Sequence, residues 1–390
     1  MDKANIKAFL KKNTMIFMLI LVTLFFTWQT GGKILLPQNV SNLISQNAYV
    51  FVLATGMLLC ILTGGNIEHS DGSVVCFVGA IGAMMMENWG VHPILAVVVM
   101  LILGTAIGAM QAFWIAYLKI PPFITTLAGM LIFRGLSNVV LQGLTVSLTN
   151  QTFIRLFGGG ANCYVPDIFG GAINITCVLA GALACVILVL AQLKAYATRK
   201  KKGYATGKFS SVVIKVAVLC AVIMAFAIQL SRFRGIPTAL IWVLVVVLVY
   251  GYITSNTTIG RHFYAVGGNE KATKLSGINT KRVYFLAYTN MGLLAALAGM
   301  LTIARLTSAQ PTYGQNYEMD AIGSCFIGGA SAYGGVGTVP GVIVGALLMG
   351  VINLGMSIMG IDANYQKVVK GAVLLAAVIF DVVSKKGERE

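Results

Sequence analysis

Long apolar runs separated by short polar segments make up most of the chain. In order they cover residues 14–28, 43–63, 72–86, 93–118, 121–141, 173–193, 212–230, 236–253, 284–304, 321–339, 342–359 and 363–383. A helix needs about 20 apolar residues to cross a hydrocarbon core, and only helices or closed barrels satisfy their backbone there. The pattern therefore predicts an all-α polytopic membrane protein with about 10–12 transmembrane helices, read as one transmembrane domain over residues 1–390. The runs that start at Gly72 and Ala321 are short or interrupted by glycine, the signature of broken or re-entrant spans. The first run follows the basic stretch MDKANIKAFLKKN, and no small-residue cleavage site succeeds it, so it is expected to stay as an anchor.

Composition agrees with that pattern. Of 390 residues 57% are hydrophobic and 10% charged, with a mean hydropathy of +0.84; a soluble domain carries about a quarter charged residues. The net charge of +16 would suggest nucleic acid in a soluble protein, but here the basic residues lie between spans. With the N-terminus inside and one crossing per run, 20 of the 28 Lys and Arg fall on the cytoplasmic side, at Lys3–Lys12, Lys119, Lys194–Lys215, Arg261–Arg282 and Lys385–Arg389. That bias places both termini in the cytoplasm, with membrane lipid and not nucleic acid as the partner. Six of the seven cysteines lie within apolar runs and form no redox pattern.

Enzymatic chemistry is missing from the sequence. His69, His92 and His262 stand far apart, without metal-binding spacing, and there is no GxxxxGK[ST] nucleotide loop. The glycine-rich stretch 328–341 lacks the Rossmann spacing. Gly104/Gly108 and Gly341/Gly345 instead have the small-xxx-small spacing of closely packed membrane helices. No catalytic residue, metal or resident cofactor is expected. The acids sit almost wholly at run ends or in loops, whereas ion-coupled carriers place them within spans. If transport is the task, its energy would then come from another subunit; a stand-alone ion-coupled secondary carrier is the competing reading.

Three loops are long. Residues 142–172 are placed outside as a docking surface, and residues 194–210 form a basic cytoplasmic loop suited to anionic headgroups. Residues 255–282 form a cytoplasmic coupling loop with a pattern of its own. A short helix is predicted at 269–276, bracketed by Gly267 and Gly268 before it and Gly277 after it. Asn269 caps its first turn, Glu270 suits its positive end and Gly277 closes it in the left-handed conformation. Ala272 and Ser276 would fit a groove on a partner.

The run GRHFYAVGGNEKATKLSGI at 260–278 resembles the signature of the membrane permeases of bacterial monosaccharide ABC importers, the ribose, xylose, arabinose and galactose group. Similar runs cover most of the chain, at 117–136, 291–306, 317–331 and 334–352, and its length is most similar to the xylose or multiple-monosaccharide type. The resemblance implies a homodimer in the bacterial inner membrane, a cytoplasmic ATPase subunit that binds the ATP, and an extracytoplasmic sugar-binding protein. It makes the helix from Gly267 to Ile278 the coupling element seated on the ATPase.

One segment departs from the family pattern IDLSVGS: here it reads IEHSDGS at 67–73, with Glu68, His69 and Asp71 at the changed positions. Together with Asn66 these residues either form a polar turn on the translocation path or its gate, or make a solvated turn that caps the following span. Arg134 and Arg305 either meet headgroups or a helix end, or line the sugar path. Glu318 and Asp320 either cap the span that follows them or meet the binding protein.

Overall fold

A computed structural model describes residues 14–171, 173–203 and 209–386. Expectations for Lys3–Lys12, Ala172, Lys208 and Arg389 fall outside these residues.

Fifteen α-helices account for nearly all regular structure among the described residues. They are α1 Thr14–Gln29, α2 Pro37–Leu62, α3 Asp71–Glu87, α4 Pro93–Ala116, α5 Pro122–Leu141, α6 Gln151–Leu156, α7 Ile175–Lys201 and α8 Phe209–Ser231. The series continues with α9 Thr238–Asn256, α10 Thr258–Gly268, α11 Glu270–Leu275, α12 Thr280–Leu306, α13 Tyr317–Ile327, α14 Val339–Ile358 and α15 Ala363–Lys386. Eight of them are long and apolar enough to cross a membrane, and α1 is a shorter apolar helix. The chain is a multi-pass membrane protein. Local chemistry sets many boundaries: His92 Nδ1 accepts the Ile94 N–H at 3.3 Å ahead of Pro93, and the Thr338 hydroxyl accepts the Gly341 N–H at 3.2 Å ahead of Pro340. In both helices proline occupies the first turn, where a missing N–H costs nothing.

The chain forms two compact units. The smaller contains residues 35–42 and 164–238, and its main feature is the α7/α8 hairpin. Gly181 lets Ala227 approach, and the Cys177 thiol donates to the Ala227 carbonyl at 3.3 Å. Most other side chains of the hairpin are exposed and apolar, including Leu183, Leu190, Ile214 and Val222, as suits a surface facing lipid tails. Of the 194–210 loop, residues to Lys201 continue α7 as helix.

The larger unit holds the core, with α12 at its centre between α3 and α4. Gly104 and Gly108 of α4 bring that helix against Gly292 and Ala296 of α12, so close that a Cβ on Gly104 would sit 2.6 Å from the Ala296 Cβ. Gly345 approaches the Ser324 carbonyl in the same way, bringing α14 onto α13. Residues 142–163 fold against the bundle. Strand β1 Val146–Ser147 pairs antiparallel with β2 Ser308–Ala309, and Phe153 and Phe157 are buried, with Phe157 stacked on Trp242 at 5.1 Å. Those aromatic residues bury enough apolar area to hold the segment against the bundle.

The run 321–339 is not a continuous span. Helix α13 ends at Ile327, and the following residues to Thr338 turn through Gly329, Gly334, Gly335 and Gly337, all at positive φ. The run starting at Gly72 behaves differently: α3 is unbroken, and the irregular backbone lies before it, at 63–70.

Candidate functional site

Three unwound segments lie inside the larger unit: 63–70 packs against 328–338, and 310–316 packs against the first turn of α3. Irregular backbone at membrane depth persists only where protein groups satisfy it, and here they do. Arg134 donates to the Pro311 and Tyr313 carbonyls at 3.1 and 2.5 Å, and Gly335 N–H reaches the Leu62 carbonyl at 3.1 Å. Arg134 thus holds a broken span and does not reach outward to a headgroup. Gly72 and Gly314 touch backbone to backbone, and any side chain at either would overlap the other's carbonyl.

Glu68 and Asp71 are 2% and 1% exposed, so they do not form a solvated turn. Glu68 is nonetheless a cap. Its carboxylate accepts the Ser70 N–H at 2.9 Å, the Ser70 hydroxyl and the Asp71 N–H at 2.7 Å, which satisfies donors at the start of α3. His69 is half-buried, edge-on to Phe123 at 5.2 Å, and Asn66 donates to the Thr63 carbonyl at 3.1 Å.

Glu318 and Asp320 lie in the first turn of α13 but are 8% and 2% exposed, away from any surface a separate protein could reach. Asp320 pairs with Lys370 at 2.9 Å and accepts the Tyr49 hydroxyl at 2.7 Å. Tyr49 in turn stacks on Tyr317, with ring centroids 3.5 Å apart and planes 13° from parallel. Beside this stack lies a cavity of about 270 Å³, lined by Ser45, Gln46, Tyr49, Thr302, Arg305 and Tyr317 among others. Two flat aromatic faces with a hydroxyl, amide and guanidinium rim can hold a polar ring by stacking and hydrogen bonding. Of these residues the sequence singled out only Arg305. Ser45, Gln46 and Tyr49 could have been noticed as polar positions inside an apolar run.

The segment 255–282 holds two short helices, not one. Gly267 and Gly268 end α10 instead of bracketing α11. Asn269 caps α11 by accepting the Ala272 N–H at 3.0 Å, and Gly277 closes it with φ +84°. Helix α10 is anchored by buried Phe263 and Val266, while α11 exposes Ala272, Ser276 and most of all Leu275, at 89%. Burial raises the Tyr264 hydroxyl above its ordinary pKa, so it stays a donor, and it binds the Gly337 carbonyl at 2.9 Å. A Cβ on Gly267 would overlap the Leu62 carbonyl and crowd Gly335. The last turn of α10 therefore rests directly on the end of α2 at Leu62 and on the unwound segment 328–338 at Gly335. Asn66 joins Glu270, Ile278 and Tyr284 around a groove of about 550 Å³, whereas Ser276 and Gly277 line another, of about 470 Å³, with His262 and Phe263.

Broken spans around a buried polar centre, tied to an exposed helix pair, define a transport permease. Residues 39–378 match the family described as branched-chain amino acid transport system / permease component, and the chain belongs to it. It is 36% identical to the xylose transport system permease protein of Escherichia coli K12 over 373 residues, 95% of this chain and 92% of that one. The Haemophilus influenzae xylose transport system permease protein is 35% identical over 95% of this chain and 96% of its own. The Escherichia coli K12 ribose import permease protein is 32% identical, covering 95% and 94%. No solved structure matches the chain. These relatives are transport permeases and not enzymes, in keeping with the lack of catalytic motifs.

Proposed function

We propose that this chain is the membrane permease subunit of an ATP-driven importer for a monosaccharide, xylose or several sugars, in the bacterial inner membrane. The similarity to xylose and ribose permeases over nearly the whole chain supports the substrate class. The single observation that carries the mechanism is the seat of Gly267 against Leu62 and Gly335. It lets a push on α10–α11 reach the unwound segments without passing through flexible chain.

In this reading the α10–α11 end of the bundle and both termini face the cytoplasm, as the distribution of Lys and Arg suggests. A separate ATPase subunit, which binds the ATP, docks on exposed Ala272, Leu275 and Ser276. Gly267, Gly268, Asn269, Glu270, Gly277 and Ile278 shape and hold that contact. A sugar-binding protein delivers substrate to the opposite face, and two copies of the chain form the transporter. The sugar passes the Tyr49–Tyr317 cavity, and Asn66 and His69 lie on the inner part of the path. The chain supplies no covalent chemistry; closure of the ATPases biases a two-state bundle.

The test is sugar uptake into proteoliposomes with the ATPase, the binding protein and ATP present or individually omitted. Uptake that needs all three supports the importer. Uptake by the chain alone, driven by a proton or sodium gradient, overturns it in favour of a secondary carrier.

A further inference from the structure

Lys119 is a lysine where the backbone favours glycine. Helix α4 ends at Ala116, and the chain turns into α5 through residues 117–121. In that turn Lys119 has φ +57°, the left-handed region that a side chain makes costly and glycine enters freely. The Ile120 N–H reaches back to the Trp114 carbonyl at 3.1 Å, and Pro121 and Pro122 stiffen the exit, so the turn is held in this shape. The Lys119 side chain is exposed, so no burial offsets the strain. Strain kept without a packing return points to a use for the residue itself.

Lys119 lines the groove of about 550 Å³ between this turn and the α11–α12 segment. Lys274 and Lys281 line it from the opposite wall, and the Lys281 ammonium lies 6.0 Å from the centre of the Tyr117 ring. The one acid along these walls, Glu270, accepts the Tyr284 hydroxyl at 3.2 Å. Lys271 and Arg282, beside the groove in sequence, add charge of the same sign as the lysines. Among the described residues none of the three lysines forms an ion pair. Buried Ile115 and Ala116 also line the groove, as does Asn66 of the unwound segment 63–70. Three positive charges against one negative, around a concave wall with an apolar base, suit an anionic partner surface.

We propose that this groove is a second seat for the ATPase subunit and takes an acidic segment of it between the α4–α5 turn and α11. The inference rests on the docking of the ATPase at α11 proposed above, and it adds the chemistry of the partner: carboxylate side chains that Lys119, Lys274 and Lys281 steer and hold. The groove adjoins α11, the face already given to the ATPase, which favours a carboxylate-bearing protein over a free anion. Charge at the rim of an interface speeds encounter and fixes register more than it adds affinity. Lys119 is thus retained at a strained position because glycine there would be easier on the backbone but carry no charge. The second seat also ends beside Asn66, so the ATPase would act on segment 63–70 directly as well as through α10.

The test measures binding of the ATPase subunit that supports uptake to the purified full chain in lipid nanodiscs, at low and at physiological ionic strength. Lys119→Arg keeps the charge and should bind like wild type. The triple variant Lys119→Gln, Lys274→Gln, Lys281→Gln should associate about tenfold more slowly at low salt and lose most of the salt dependence of that rate. Leu275→Ala, on α11, should chiefly dissociate faster. Lys119→Gly separates strain from charge: its thermal midpoint should equal or exceed that of wild type while association slows about threefold. A purely structural lysine gives the opposite signs, a lower midpoint with normal association, and that result overturns the proposal. Wild-type association of the triple variant, with faster dissociation of Leu275→Ala, removes the groove and leaves the α11 contact standing. Wild-type kinetics in both variants, or no binding by wild type, removes both. Should the triple variant keep its ATPase association but lose affinity for phosphatidylglycerol titrated in detergent micelles, the groove belongs to lipid headgroups and the proposal falls.

Discussion

Lys370 of α15 reaches Asp320 of α13 at 2.9 Å, so a helix at the end of the chain neutralises a carboxylate at the start of a half-length helix. Asp320 is 2% exposed and its lysine partner 21%, which makes this pair mainly the aspartate's protection. Removing one partner of a buried pair leaves an uncompensated charge and costs about 3–5 kcal/mol. Because the lysine keeps some solvent, Lys370→Met is expected to lower unfolding stability by about 3 kcal/mol. Adding Asp320→Asn should recover most of it, since the Tyr49 hydroxyl still has an acceptor. Chemical denaturation of the double mutant cycle checks this, and strictly additive losses would count against the pairing.

Gly267 and Gly268 are neighbours with opposite surroundings. A Cβ on Gly267 overlaps the Leu62 carbonyl, whereas one on Gly268 meets nothing within 4 Å. Overpacking against backbone costs about 1–3 kcal/mol. Gly267→Ala is therefore expected to destabilise the chain by that amount and to cut ATP-driven uptake at least about tenfold, an effect equal to about 1.4 kcal/mol of lost coupling. Gly268→Ala should leave both nearly unchanged. Uptake in proteoliposomes and thermal unfolding of the two variants provide the comparison.

Gly277 has open space around it but φ +84°. Its replacement is a question of backbone strain, not of clash. Gly277→Ala should destabilise α11 by about 1 kcal/mol, whereas Gly277→Asn, which tolerates the left-handed region better, should cost less. Hydrogen exchange at the Ile278 N–H, which bonds the Thr273 carbonyl at 3.3 Å, reports the difference.

Tyr317 contributes a ring face to the cavity, and its stacked partner Tyr49 contributes both a ring and the hydroxyl bond to Asp320. Tyr317→Phe keeps the aromatic face and is expected to keep most uptake. Tyr317→Ala removes it and should lower uptake about tenfold, consistent with about 1 kcal/mol for the aromatic pair plus lost sugar contact. Equal uptake by both variants would move the sugar path elsewhere.

Asp167 gives a pH prediction outside the spans. Partial burial opposes its charged form, but the Thr176 N–H and hydroxyl, at 3.1 and 2.9 Å, together with the Phe169 and Ile175 N–H groups, hold the carboxyl below its ordinary range. The folded pKa lies below the unfolded value of about 3.9. Its stabilisation is thus complete above the unfolded pKa and lost as pH falls through the folded one. Protection of the Thr176 amide should drop in that acidic window, and Asp167→Asn should abolish the pH dependence of this protection.

Hydropathy alone marked the spans because the signal is local: each run of about 20 apolar residues is a solubility statement about its own segment. The same locality made α11 legible, since Asn269 and Gly277 act on the turns beside them. The reading passed over α10 although its apolar face, with Phe263 and Val266, is written in its own sequence; only its seat against Leu62, Gly335 and Tyr264's partner Gly337 needed the structure. It also misplaced four acids. Glu68, Asp71, Glu318 and Asp320 sit at the ends of apolar runs, positions that a one-dimensional reading equates with the membrane surface. The broken spans fold those ends inward, so that end of helix and end of membrane no longer coincide. Burial of a charge depends on which distant segments cover it, and Lys370 is 50 residues from Asp320. The sequence by itself determined that the chain is an all-helical, multi-pass membrane protein and where the short helix α11 is capped; tertiary structure decided which runs are broken and which polar groups lie in the dark interior, because only packing between distant segments removes water.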